Sequence, residues 1–190
     1  MLKFKIFILF SFVFISSFTS EIIDFQHKSI QKELVKFNII GISKLIEVPI
    51  SEEIKYKNNI NGKYFSVNNS EKFDSIKYVY IGRVNSCRAG GCSANNELSN
   101  KDEFEYFDYF IFYDNVLNIK LVKIFHYQAT HGQEITAKSW LKQFTKYDGK
   151  NDLEVGKNID AISGATISVY AITFDVQFKT EIFKGFLVKI

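Results

Sequence analysis

Two short stretches of the chain carry side chains whose types and spacing suit chemistry. The first is Asn158–Val169, NIDAISGATISV, in which Asp160 and Ser163 lead through Gly164 and Ala165 to Thr166 and then into an apolar run. Small residues clear space around one hydroxyl, so a bulky group can approach the backbone closely. A helix opening here would aim its unpaired N–H groups at a phosphate beside Thr166. The competing reading is purely structural: Ser163 is an N-cap and Thr166 an early helical residue. Composition alone favours that second reading. The other stretch is RVNSCRAGGCS, where Cys87 and Cys92 enclose Arg-Ala-Gly-Gly. Its spacing lies near the CxxC of thiol oxidoreductases, which makes a redox-active dithiol one reading. A metal site is weaker, with two thiols and no histidine beside them. In an oxidising compartment a structural disulfide is the better-supported reading, because Gly90 and Gly91 can take the positive φ angles that close so small a ring. That closure contributes only roughly 2 kcal/mol. Arg83 and Arg88, the only arginines in the chain, flank the loop and could serve an anion. Nothing in the sequence reads as a catalytic set or a metal-ligating set.

The elements that must position these residues follow from periodicity. Glu21–Phe37 carries a loose helical stripe of Ile22, Ile23, Ile30, Leu34 and Phe37, with Ser20 or Asp24 available as its cap. Leu45–Ile50 reads as extended, and Lys57–Gly62 as a turn cluster. Tyr64–Val67 and Tyr78–Val84 are rich in Tyr, Val and Ile, as strands are. Phe107–Tyr113 and Val116–Tyr127 flank Asp114-Asn115, a two-residue turn pair of the kind that closes hairpins. Glu134–Phe144 reads as a short amphipathic helix and Lys146–Asn151 as a loop. The run after Thr166 fits a helical face through Ile167, Tyr170, Ala171, Phe174 and Phe178. It alternates equally well as a strand through Tyr170, Ile172, Phe174, Val176 and Phe178. There is no internal repeat and no low-complexity linker. The order of elements predicts a single α+β domain with a mainly antiparallel sheet and flanking helices.

A length of 190 residues and 22.0 kDa suits one domain plus a targeting segment. With 46% hydrophobic and 24% charged residues, the chain has a globular rather than a disordered composition. Residues 1–20 place Lys3 and Lys5 before the apolar run Ile6–Ile15 and a small polar patch, Ser16–Ser20, after it. This is the pattern of a secretory signal peptide, and the run is shorter than the roughly 20 residues a spanning helix needs. A retained anchor is the alternative, because Phe18 is a poor residue for cleavage after Ser20. The mature protein, residues 21–190, is therefore expected outside the cytoplasmic membrane, in the periplasm or on the membrane's outer face. Without Lys3 and Lys5 the formal charge of +3 falls to +1. A near-neutral domain has no electrostatic case for nucleic acid.

The run Asp160-Ala161-Ile162-Ser163-Gly164-Ala165-Thr166 resembles the flavinylation motif of the FMN-binding domain family. That family includes subunits of sodium-pumping quinone reductases and of related ion-translocating ferredoxin reductases, together with small exported proteins. The resemblance covers roughly residues 75–176. It implies that Thr166 carries FMN through a phosphoester, with Asp160, Ser163, Gly164 and Ala165 as its surroundings. It also implies that the element after Thr166 is a helix. A second family segment, containing Thr-Pro-Gly, follows a hairpin strand and lines the flavin pocket. Here Thr130-His131-Gly132 stands in that place, with His131 where the family usually has Pro and Glu134 where it usually has Gly. His131 reads first as a loop histidine bonded to a backbone carbonyl. The sharper alternative has it tuning the flavin or handling a proton. His27 and His126 read as surface and strand residues. Tyr106, Tyr109, Tyr113 and Trp140 could stack on a flavin, although aromatic residues in hairpins are more often core or cross-strand pairs.

The resemblance further implies a magnesium-dependent transferase, which would use FAD as donor and leave covalent FMN on this chain. The protein would then act in extracytoplasmic electron transfer with a donor and an acceptor that the sequence does not name. Two other classes compete. One is a cofactor-free, disulfide-stapled periplasmic binding module; the other is a thiol-redox protein using Cys87 and Cys92.

Overall fold

The computed structural model describes residues 22–40, 44–68, 76–88 and 104–187. The leader, Gly90, Gly91 and Cys92 lie outside the described residues, as do the side chains of Cys87 and Arg88. Five strands form one antiparallel sheet in sequence order: β1 (Leu45–Glu47), β2 (Gly62–Val67), β3 (Tyr78–Arg88), β4 (Phe104–Tyr113) and β5 (Ile119–Tyr127). Helices α1 (Lys28–Lys36) and α2 (Glu52–Lys57) precede β1 and β2 respectively. The short α3 (Lys138–Leu141) and the long α4 (Thr166–Leu187) follow β5. The expected single α+β domain is what the chain forms. Among the described residues no helix is long and apolar enough to cross a membrane.

The sheet is covered on both faces, and β4 shows why its sequence is apolar almost throughout. Phe107, Tyr109, Ile111 and Tyr113 point toward α4, where they meet Val169, Ile172, Val176 and Phe183. Phe110 and Phe112 point the other way, toward Ile30 and Leu34 of α1 and Val79 and Ile81 of β3. Each of those six β4 side chains is fully buried, as expected where a sheet has elements on both faces. Their burial supplies the main favourable term for the fold.

Between α4 and the sheet lies a buried polar cluster. The Tyr109 hydroxyl donates to Asp175 Oδ2 at 2.5 Å, and Lys179 Nζ lies 3.2 Å from Asp175 Oδ1. Lys179 also donates to the Asn59 carbonyl at 2.9 Å, while its own carbonyl accepts from the Tyr64 hydroxyl at 2.8 Å. The cluster thus ties α4 to the loop before β2 and to β4. A close approach of β2 and β3 lies beside it: Gly62 and Gly82 are register partners, and the Tyr80 phenol lies across both. A Cβ on Gly62 would come 2.7 Å from the Tyr80 hydroxyl, and one on Gly82 would come 2.2 Å from it.

Several local readings of the sequence are corrected. The hairpin between β4 and β5 closes through a wider loop, Asp114–Asn118, rather than a two-residue turn. The buried Asp114 carboxylate accepts from the backbone N–H of Val116 at 3.0 Å and of Asn118 at 2.8 Å, so the side chain builds the turn. The expected helix over 134–144 is broken, because Ala137 is extended (φ −61°, ψ 125°) between a 3-10 turn at Gln133–Thr136 and α3. Ile135, Trp140, Leu141 and Phe144 are nevertheless buried, so packing holds the segment in place of regular helix. Helix α1 is capped by His27, whose Nδ1 accepts from the Ser29 N–H at 3.2 Å, and the His27 ring stacks on Phe125 at 4.8 Å. Asp24 instead closes a turn on the Gln26 N–H at 2.9 Å. The six-residue α2, capped by Ser51, had no counterpart in the periodicity.

Burial raises the Asp175 carboxyl above its ordinary value, against the opposing pull of Lys179 and Tyr109. In the pH window between the ordinary and the raised value, the unfolded chain gives up its proton first. Unfolding therefore becomes easier as pH rises through that window. The unfolding free energy of the wild type minus that of Asp175→Asn should fall with pH there, by no more than about 1.4 kcal/mol per pH unit, and be level above it. Urea titrations of both proteins from acid to neutral pH measure this, and a difference that rises with pH contradicts it.

Candidate functional site

The segment before α4 is held from both sides. The Trp140 indole N–H donates to the Asp160 carbonyl at 2.9 Å, and the Asp160 N–H donates to Gln143 Oε1 at 2.7 Å. Leu153 N–H donates to Gln177 Oε1 at 2.8 Å, which pins the preceding loop to α4. After Asp160 the chain turns through Ser163 and Gly164, with Gly164 at φ +81° and the Ala165 N–H bonded to the Ile162 carbonyl at 3.1 Å. Among the described residues a Cβ at Gly164 would meet nothing within 4 Å.

The Val169 N–H bonds the Ala165 carbonyl at 2.9 Å, which makes Ala165, not Ser163, the residue at the N-cap of α4. Alanine has no side-chain acceptor. Among the described residues the amides of Thr166, Ile167 and Ser168 have no protein acceptor. Ala165 is buried, whereas Asp160, Ser163, Gly164 and Thr166 are exposed. The first turn of α4 thus presents a threonine hydroxyl beside uncapped N–H groups and the positive end of a six-turn helix.

The loop of Thr130, His131 and Gly132 is joined to this turn through Ser168. Tyr127, the last residue of β5, donates its hydroxyl to the His131 carbonyl at 2.6 Å. Its one proton is then committed, so Ser168 Oγ, 3.1 Å away, must donate to Tyr127, and Ser86 of β3, 3.0 Å from Ser168, must donate to Ser168. The chain of hydroxyls runs in one direction, from β3 through α4 and β5 to the loop carbonyl. Burial pushes the Tyr127 phenol above its ordinary value, partly offset by the Ser168 bond, which keeps it a neutral donor. Gly132 is buried at φ +85°, and a Cβ there would lie 2.7 Å from Ser168 Oγ. Thr130 Oγ1 donates to the Glu105 carboxylate at the start of β4. It is the carbonyl of His131 that the structure uses, as an acceptor, while its ring is exposed.

Beside α4 runs a groove of about 410 Å³, floored by Tyr170, Thr173, Phe174 and Phe178 and walled by Leu153 and Val155. Tyr170 is 56% and Phe174 68% exposed. The Thr173 hydroxyl is buried and has no hydrogen-bond partner, the one such side-chain atom among the described residues. Tyr170 stands about 6 Å along the helix axis from Thr166. Among the described residues no group of three or more His, Cys, Asp or Glu side chains could hold a metal ion.

The structure therefore brings the two sequence motifs together, with Ser168 between them. It does not bring the hairpin aromatics to them. Tyr109 and Tyr113 are core residues whose hydroxyls bond Asp175 and Thr180, and the Arg83 guanidinium lies 3.6 Å over the Tyr106 ring. Trp140 is a buried prop for Asp160. Ser86, Tyr127, Gln143 and Ser168 went unnoticed in the sequence, where a serine two residues past Thr166 gave no signal. His126 and Arg83 both engage Asp108, at 3.3 Å and 2.7 Å, on the other face of the sheet. The backbone of Cys87 lies in β3, and the disulfide expected between Cys87 and Cys92 falls outside the described residues.

The span from β4 through both loops into α4 has a match among known proteins. Residues 107–178 match the FMN-binding domain family. No curated protein matches the chain. The matched FMN-binding domain begins at Phe107, contains Thr130–Gly132 and Asp160–Thr166, and ends at Phe178 in the groove. Over this span the match suggests FMN as the group the site takes. The residues fit that group: unpaired amides at a helix N-terminus suit its phosphate, and aromatic faces with an unpartnered hydroxyl suit its ring system.

Gly132→Ala puts an alanine at positive φ and a methyl against Ser168. Thermal unfolding should show a loss of about 2 kcal/mol, from backbone strain and the displaced hydroxyl. A stability within 0.5 kcal/mol of wild type would mean that the junction is not tight.

Proposed function

We propose that this protein is an exported electron carrier with FMN attached covalently to Thr166. The observation that carries the reading is the exposed Thr166 hydroxyl on the first turn of α4, with an uncapped helix N-terminus behind it and the aromatic groove below it. Thr166 Oγ would bond to the FMN-side phosphorus of FAD. The pyrophosphate bond breaks, AMP leaves, and the hydroxyl proton passes to a base. A threonine hydroxyl is a weak nucleophile without such help. Among the described residues no base is bonded to Thr166, and in this reading base and magnesium come from a separate FAD:protein FMN transferase.

Once bound, the flavin supplies one- and two-electron chemistry. The chain's part is to hold the phosphate at the α4 N-terminus and to fix the floor of the site through Ser168, Tyr127 and the Asp160 clasp. A covalent link suits a carrier working outside the cell, where lost cofactor is not recovered. The leader-like residues 1–20 and the Cys87/Cys92 loop support that address, since disulfides persist where conditions are oxidising. The electron donor and acceptor are redox proteins, membrane-bound ones included.

Thr166→Val keeps the shape and removes the nucleophile. Co-expressed with its transferase and run on a denaturing gel, wild type should fluoresce as a flavin band and the variant should not. The variant's stability should stay within about 0.5 kcal/mol of wild type, because Thr166 is exposed. A fluorescent variant band places the attachment elsewhere. A dark wild-type band, with the transferase active on another substrate, favours a cofactor-free binding module. Thiol labelling of freshly isolated mature protein should find no free thiol without reductant and two with it. Two free thiols without reductant would remove the structural disulfide from this reading.

A further inference from the structure

A second recess, of about 440 Å³, lies at the β5 edge of the sheet and shares no lining residue with the groove beside α4. Its apolar floor is Phe37, Leu121, Val122 and Leu141, and its lining carries four lysines, Lys36, Lys120, Lys138 and Lys142, against one glutamate, Glu33. That glutamate is already spent. Its two oxygens accept from Lys36 at 2.7 Å and Lys123 at 2.8 Å. Burial opposes its ionisation, yet the two lysines together hold its carboxyl below the ordinary range. Lys120 lies 3.3 Å from Asp114. Lys138 and Lys142, four residues apart and both exposed, have no ion-pair partner among the described residues.

We infer that this recess binds a free amphiphilic carboxylate, an aliphatic chain of fatty-acid type with its head held by Lys138 and Lys142. The charge excess selects an anion. The apolar floor selects a hydrocarbon body, because water is displaced from Phe37 and Leu121, its two half-buried side chains, when it enters. The volume lies in the range of small-molecule pockets. A concave recess of this size favours a single molecule over a bilayer surface, which needs a protruding face to enter.

The test is a titration of the full mature chain with decanoate at low ionic strength, read by amide chemical shifts. Saturable shifts should centre on Leu121, Val122 and Leu141. Acetate, which has the head but no tail, should bind at least about tenfold more weakly. The double variant Lys138→Gln/Lys142→Gln, with an unchanged circular dichroism spectrum, should also lose about tenfold or more. Equal affinity of wild type and double variant for decanoate overturns the inference, as does equal affinity of wild type for decyltrimethylammonium. Phosphatidylglycerol vesicles that shift these residues while decanoate does not would replace it with a membrane surface. The Thr166 variant should bind decanoate as wild type does, so this outcome is independent of the flavin.

Discussion

One hydroxyl, that of Ser168, sets where the parts of the candidate site stand. It accepts from Ser86 in β3 and donates to Tyr127 at the end of β5, and Gly132 can lie against it only because it lacks a Cβ. Three segments far apart in the chain are therefore fixed to one atom on the first turn of α4. Thr166 is two residues earlier on the same turn, so the sheet determines its position and no loop conformation does. Sites built on regular elements hold their geometry more tightly than sites built on loops. The direction of the hydroxyl chain adds to this, because each oxygen has one proton to give and each proton is committed.

The sheet can serve as that reference because its centre is clamped from both faces. On the α4 side the Tyr109–Asp175–Lys179 cluster fastens the helix to β4 and to the loop before β2. On the opposite side Arg83 grips Asp108 with two bonds, at 2.7 and 3.0 Å, while stacking on Tyr106. Buried ion pairs add little net stability over apolar side chains of the same volume. Their geometric demand is stricter, since a shifted register would strand a charge. That requirement disfavours slippage of β4 between its neighbours.

Much of this was legible in the residues, and what was not had a physical reason. Strands β2 to β5 announced themselves through Tyr, Val, Ile and Phe, whose branched and aromatic side chains suit a pleated surface. The match over residues 107–178 bears out the family suggested by Asp160–Thr166. The turn at Asp114 was misread because the dipeptide is a hairpin signal, whereas here the aspartate carboxylate organises a wider loop. Helix 134–144 was misread because its buried pattern is real but its backbone breaks at Ala137. Ser163 looked like the cap, yet the helix starts later, and an alanine occupies the capping position. The clasp of Trp140 and Gln143 on Asp160 is tertiary and has no local signature.

The packing of Tyr80 across Gly62 and Gly82 has an evolutionary consequence. Any side chain at either glycine strikes the phenol, and shrinking Tyr80 first leaves a hole in the layer beneath α4. The backbone closes the way as well: a Cβ on Gly62 would come 2.4 Å from the Ile81 carbonyl oxygen and one on Gly82 would come 2.8 Å from that of Asn61, so shrinking Tyr80 opens neither position. The two glycines should thus resist replacement whatever side chain crosses them, so that sequences diverging freely elsewhere in the sheet stay pinned at this crossing.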